Sequence, residues 1–213
     1  MGYGGDRGKV TRLKLYFAPI DMAKAADYRK SNAHRSLDAK GQELTRLSGL
    51  MLAALALGDD PLEREKTGQL LIDALCGLWS LPECTLVVAD RRQVHSTTGT
   101  RVTSRTYGYY RCRLVARQVE GARIRIYHKT AIREQVTAPA TFLNTLLHEW
   151  VHHYDFCRLK LTSSPHTSGF YARLSSLRTI LMPPCDPVPS GEPEDGMESA
   201  RRTRLFPAVQ PFP

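Results

Sequence analysis

The stretch TFLNTLLHEWVHHYD, from Thr141 to Asp155, constrains this chain more than any other. A helix advances ~100° per residue, so with His148 at zero, His152 falls at ~40° and Asp155 at ~340°. On the same wheel Leu143, Leu146, Leu147, Trp150 and Tyr154 fall between ~160° and ~260°. The apolar stripe and the histidine stripe therefore face opposite ways. Such a helix buries Leu, Trp and Tyr against a core and turns two imidazoles and a carboxylate toward a cleft. Histidines serving only as packing would point with the leucines instead.

His148-Glu149-Trp150-Val151-His152 has the form HExxH. Residues four apart stand one above the other on a helix, so both rings can reach one ion. With seven His and ten Glu in 213 residues, roughly one chain in a hundred would carry the pattern by accident, before helical context is required. Two histidines hold zinc poorly, and a hydrolytic site supplies a third protein ligand while leaving one position to water. The candidates are His153, Asp155, His166 and the acids Glu192, Glu194 and Glu198. His153 is turned ~100° from His152. Asp155 lies on the correct face but a turn further along; it reads as an acceptor for an imidazole N–H or as a surface acid. His166 follows Ser164-Pro165, a cap and first-turn pair that would open a new helix, and is the strongest candidate.

The surrounding pattern falls into three parts. From about Ile20 to Leu81 it is helical: Leu44, Leu47, Leu50, Met51, Ala54 and Leu55 recur at helical spacing, as do Leu70, Leu71, Leu75 and Trp79. Gly58-Asp59-Asp60-Pro61 separates these two runs, with Asp60 as N-cap and Pro61 at the first helical position. Past Pro82 come β-rich runs, Thr85–Ala89, Arg105–Val119 and Ala122–Tyr127, with a hairpin turn expected at Glu120-Gly121. Helical pattern returns over Pro139–Phe156 and Pro165–Leu181 until Pro183-Pro184 stops it. The proline-rich remainder has no apolar periodicity and reads as a flexible tail.

Composition narrows the class of protein. No apolar run approaches the ~20 residues needed to cross a bilayer. The first twenty residues lack the continuous apolar core of a signal peptide, and Asp6 stands where a myristoylation motif wants Ser or Thr. Cys76, Cys84, Cys112, Cys157 and Cys185 are odd in number and form no CxxC pair, which speaks against a disulfide framework or a zinc ribbon. A cytoplasmic protein with reduced thiols is expected.

The formal charge is +9. Between Arg91 and Arg133 eleven basic residues face only Glu120, with Tyr107, Tyr109, Tyr110 and Tyr127 interleaved. Arg91, Arg92, Arg101, Arg105, Arg111, Arg113, Arg123 and Arg125 are thus candidates for contacting DNA phosphates, with the tyrosines as stacking platforms. Solvated strand faces would account for the same residues.

Together, HExxH, the downstream His166 with Phe170, and the approach through Gly108-Tyr-Tyr110, Ile124-Arg-Ile126 and Asn144-Thr-Leu-Leu-His148 resemble the SprT-like zinc metallopeptidases, the group that includes a DNA–protein crosslink protease. The similarity covers about Thr85 to Leu181. Thr167 stands where that family commonly has Gly, and its cysteine-rich zinc ribbon is missing. The resemblance implies an α+β, zincin-like domain in which a small antiparallel sheet packs on the HExxH helix. The expected organisation is residues 1–18 as an N-terminal segment, 19–82 as a helical region, 83–182 as the peptidase core and 183–213 as the tail. It further implies Zn2+ held by His148, His152 and His166, and Glu149 as general base for hydrolysis of a protein or peptide, with DNA-associated proteins as a candidate substrate class. Zinc so held would lower the pKa of a bound water from ~15.7 toward ~7. Tyr154, Tyr171 and His128 are candidate extra donors, and the Ala122–Tyr127 strand is a candidate edge for an extended substrate. A metal-stabilised nucleic-acid-binding protein without peptidase activity is the competing reading.

Overall fold

The computed structural model describes residues 19–37, 43–56, 58–99 and 101–181. The expected N-terminal segment and proline-rich tail lie outside the described residues, as do the side chains of Leu44 and Leu55. The chain is mixed α+β: helices α1 (Pro19–Ala33), α2 (Glu43–Leu55) and α3 (Pro61–Leu78), strands β1 (Cys84–Arg92), β2 (Val94–Thr98), β3 (Arg101–Thr106), β4 (Gly108–Val115) and β5 (Gln118–Lys129), then helices α4 (Pro139–Cys157) and α5 (Ser168–Leu181). Among the described residues no helix is long and apolar enough to cross a membrane.

Local chemistry sets the helix ends. The Asp60 side chain accepts from the Leu62 N–H at 2.9 Å, and Pro61 occupies the first turn of α3, as the spacing predicts. The expectation of a helix from Pro165 is corrected. α5 begins at Ser168, and its cap is Thr167, whose Oγ1 accepts from the Phe170 N–H at 3.1 Å. Residues 164–166 lie in an irregular segment, so His166 precedes the helix rather than opening it.

The sheet is corrected in three respects. It is not wholly antiparallel: in the order β1-β5-β4, β1 and β5 run parallel and β5 and β4 antiparallel, while β2 and β3 form a separate antiparallel ribbon. The reason is connectivity, since β2 to β4 lie between β1 and β5 and make their meeting a crossover instead of a hairpin. The β4–β5 turn falls at Ala116-Arg117, both at positive φ (47° and 64°), rather than at Glu120-Gly121. Gly121 (φ 58°) instead supplies the extra residue where the β4–β5 register shifts between Arg111 and Arg113, a bulge conformation that suits glycine. Finally, β5 is the central strand with partners on both sides, so the Ala122–Tyr127 segment offers no edge to a substrate.

The two edges of this sheet differ. On β1, the Val88 N–H donates to Glu65 at 2.7 Å, the Leu86 N–H to Gln69 at 2.7 Å, and the Gln69 amide donates to the Cys84 carbonyl at 3.0 Å. Side chains of α3 therefore close that edge. β4 is the other edge, and α4 runs beside it.

One buried cluster joins α2 and α3 to β1, β5, α4 and α5. Leu47, Leu71, Ile72, Leu75, Leu86, Ile124, Ile126, Phe142, Leu146, Trp150, Phe170 and Leu177 all belong to it. Trp150 is fully buried and packs at a tilt against Trp79, ring centres 5.3 Å apart, with Tyr154 beside both. The apolar stripe of α4 thus sits in the core and leaves the opposite stripe for the site. Arg64 is fully buried as well, donating to Gly58 and Thr137 carbonyls at 2.9 and 2.6 Å, where it ties α3 to the entry of α4.

Candidate metal centre

His148 and His152 project from the same side of α4, one turn apart, and the turn before α5 brings His166 against them. The Nε2 of His166 lies 3.0 Å from Nε2 of His148 and 3.0 Å from Nε2 of His152. One ligand atom from each ring lies within 4.8 Å of the others, so the three histidines could hold a metal ion. Zinc at ~2.0–2.1 Å from tetrahedral nitrogen ligands sets those nitrogens ~3.3 Å apart, close to what is seen. The Phe170 ring, itself fully buried, packs against all three imidazoles at 4.7–5.0 Å and gives the cluster an apolar floor.

The protonation pattern suits a cation. Burial depresses the His148 pKa to about 3, helped by His166 and Arg178. Burial likewise lowers His152 well below its ordinary value, with His148, His166 and Arg173 adding to the effect, and lowers His166. Neutral rings carry the lone pairs a metal needs. For His152 the tautomer follows from its neighbours. The Ser164 hydroxyl donates its one proton to Asp155 Oδ2 at 2.8 Å, because a carboxylate only accepts. Ser164 Oγ must then accept from His152 Nδ1–H, 2.7 Å away, which leaves the Nε2 lone pair aimed at the other two histidines. Asp155 is in turn held by Arg173 at 2.8 Å, both side chains being fully buried. A chain of partners behind a ligand is what metal-binding imidazoles require.

Comparison with family models, curated proteins and solved structures gives no match.

Glu149 is buried beside the cluster. Desolvation pushes its carboxyl up to about 8, against the backbone N–H of Tyr110, which hydrogen-bonds to it and pulls the other way. That contact joins α4 to β4 and sets the open sheet edge next to the carboxyl.

The remaining candidates separate cleanly. His153 points into the core, where its Nε2 donates to the Pro82 carbonyl at 2.9 Å and its Nδ1 accepts from the Tyr110 hydroxyl at 3.0 Å. Asp155 is no surface acid; it reaches His152 through Ser164 rather than directly. Glu192, Glu194 and Glu198 lie outside the described residues. Of the extra donors, His128 binds the Asp59 carbonyl far along β5 and Tyr154 packs on the tryptophans, while Tyr171 lies 6.0 Å from the His166 ring. Ser164 and Arg173 support His152 in a way the sequence did not indicate, Ser164 having been read as a helix cap. Arg173 stands amid Phe170, Leu174 and Leu177 on the buried face of α5, a place where arginine is rare.

The arginines divide by face. Ile124 and Ile126 point to the core, so Arg123 and Arg125 point away from it, and the register puts Arg111 opposite Arg123 and Tyr109 opposite Arg125. Arg111 lies over Tyr109 at 4.6 Å and Arg91 over Tyr127 at 5.5 Å. Arg92 and Arg113 pair with Glu134 and Glu120, and Arg105 is exposed on the β2–β3 ribbon. The Arg101 side chain lies outside the described residues. Cys76, Cys84, Cys112 and Cys157 are free; burial pushes the Cys76 thiol up to about 11 and the Cys157 thiol to about 12, so both stay protonated as packing groups.

Proposed function

We propose that the protein is a zinc-dependent peptidase with a zincin-like core, in which His148, His152 and His166 hold the ion and Glu149 is the general base. The observation that carries this reading is the convergence of three Nε2 atoms, successive ones 3.0 Å apart, beside a buried carboxyl. Zinc bound there would supply a Lewis acid and an acidified water. The chain's own residues account for the rest of the chemistry. Glu149, a buried carboxyl next to His148 in the chain, would accept a proton from that water and return it to a leaving amine. Ser164, Asp155 and Arg173 keep His152 in the ligating tautomer, and Phe170 excludes water from beneath. An extended peptide would enter by pairing with β4, the edge adjoining Glu149, because α3 side chains occupy the edge of β1. The resemblance of HExxH, His166 and Phe170 to the SprT-like peptidases supports the same reading. Thr167, which departs from that family, serves here as the α5 cap. The free cysteines suit a reducing cytoplasm.

Glu149→Gln is expected to retain zinc and lose hydrolysis by ~10²–10⁴-fold, the usual scale of general base catalysis. His152→Ala is expected to lose both. Metal analysis of the purified proteins together with casein cleavage checks this, and a Glu149→Gln variant as active as wild type removes Glu149 from the mechanism.

A second reading, in which zinc is structural and the protein binds nucleic acid, draws on the outer face of the sheet. Arg111, Arg123 and Arg125 share that face with Tyr109, and among the described residues no carboxylate lies within ion-pair distance of these arginines. Such a face offers charge for phosphates and rings for bases. Single-stranded DNA should bind with steep salt dependence, and Arg111→Glu with Arg123→Glu should flatten that slope by about 1.4. DNA binding without cleavage of any protein substrate would favour this reading over the peptidase; no binding at low salt would remove DNA as a partner.

A further inference from the structure

The third histidine of the cluster comes from a loop, and the loop is gripped from outside by α1. A single carboxylate oxygen, Oδ2 of Asp27, accepts from the Thr162 N–H (3.0 Å), the Thr162 hydroxyl (2.6 Å), the Ser163 N–H (2.8 Å) and the Ser163 hydroxyl (3.1 Å). Five residues further along α1, Asn32 Oδ1 accepts from the Gly169 N–H at 3.0 Å and the Ser168 hydroxyl at 2.9 Å. Ser31 Oγ lies 2.7 Å from Thr167 Oγ1, the capping oxygen of α5. Loop residues 162–163 and 167–169 are thus fastened to one helix, with His166 between them.

The fit is close. A Cβ added to Gly169 would sit 2.0 Å from the Ser31 carbonyl oxygen, so any larger residue there displaces α1. The same turn of α1 also reaches the support behind His152: Arg173, which holds Asp155 at 2.8 Å, donates to the Ser31 carbonyl at 2.7 Å, to Ser31 Oγ at 3.0 Å and to the His34 carbonyl. Asp27 is buried, and among the described residues its Oδ2 accepts only from groups of the loop. A carboxylate is expensive to bury unless its acceptor sites are filled, so these donors hold the loop and the helix together as one unit.

We propose that α1 is the positioning element for the third metal ligand, with Asp27 as its principal residue, and that docking of α1 and binding of the ion are thermodynamically coupled. This rests on the reading of His148, His152 and His166 as a metal site. A loop free to sample many conformations presents His166 in the ligating position only part of the time, and the apparent affinity falls by that fraction. Reciprocity requires that an ion which fixes His166 also holds α1 down.

The test uses the full chain, in wild-type form and as Asp27→Ala, Asp27→Asn, Gly169→Ala and, as a control on the exposed side of α1, Met22→Ala. Zinc affinity is measured by competition with a chromogenic chelator, and hydrogen exchange of α1 and of residues 162–169 is followed with and without zinc. Asp27→Ala and Gly169→Ala are expected to weaken zinc binding by ~10–100-fold, the range seen when support behind a ligand is lost. Asp27→Asn keeps an acceptor oxygen without the charge and should fall between, whereas Met22→Ala should bind as wild type. In the wild type, zinc should slow exchange in α1 as well as in the loop, a readout that needs no variant to fold. Wild-type affinity in Asp27→Ala and Gly169→Ala, or exchange in α1 indifferent to zinc, overturns the coupling while leaving the metal site standing. A wild type that takes up no zinc overturns the metal site itself, and the coupling with it.

Discussion

Ser164 illustrates how much of this site depends on one proton. Its hydroxyl gives that proton to Asp155 and receives another from His152 Nδ1, so the polarity of the line runs outward from the ring to the carboxylate. Ser164→Ala removes the acceptor from Nδ1 and frees the ring to turn or to change tautomer. The expected outcome is a ~10–100-fold loss of zinc affinity with little change in fold, read by chelator competition. Asp155→Asn should be worse, because an amide can donate to Ser164, reverse the line and move the ring proton to Nε2. It also leaves Arg173 buried without its ion pair, a change of the kind that costs about 3–5 kcal/mol. At this scale His148, Glu149 and His152 were legible in the sequence because helical spacing alone puts them together on α4, whereas His166 joins them from a loop. Ser164 and Arg173 were not, because their partners lie nine and eighteen residues away across a turn.

Among the elements, α5 and the β4–β5 hairpin show where local signals compete. Ser164-Pro165 and Thr167 both offer a helix start, and the contacts of Thr167 with Ser31 and with the Phe170 N–H select the later one. Thr167→Ala is therefore expected to lower stability by about 0.5–2 kcal/mol, the range for a lost N-cap, measured by urea unfolding with unchanged slope. An unchanged midpoint would show that the cap is dispensable. In the hairpin the glycine was the obvious turn residue, yet the turn uses Ala116 and Arg117 at positive φ, and Gly121 goes to the bulge. That choice keeps Ile124 and Ile126 pointing inward, since a one-residue slip would turn them to solvent. Burial of those two side chains outweighs the preference of two turn positions for glycine.

For the molecule as a whole, the site makes stability depend on pH when no metal is present. The folded pKa values of His148 (about 3), His152 and His166 lie below the ordinary 6.5, so their contribution is complete above 6.5 and is lost as pH falls toward those values. Glu149 acts in the opposite sense: raised from 4.5 to about 8, it favours the folded state most below 4.5 and loses that contribution as pH rises through 8. His153, lowered by burial, joins the histidines, and Asp155, raised by burial, joins Glu149, so four groups against two make the acid side steeper. Thermal melts of chelator-treated protein should therefore peak near pH 6.5 and fall faster toward acid than toward base; a flat acid limb would contradict the burial of these rings.

What the sequence determined by itself was the content of α4, with its apolar stripe, its histidine stripe and Glu149 beside it, together with the order of helical and β-rich parts. These depend on neighbours within a few residues, where periodicity and capping act. What only the tertiary structure decided was the parallel pairing of β1 with β5, the open edge at β4, the place of His166 before α5 and the grip of α1 on its loop. Each of those joins residues far apart in the chain, where the outcome is set by which surfaces can be buried together and which polar groups must find partners once they are.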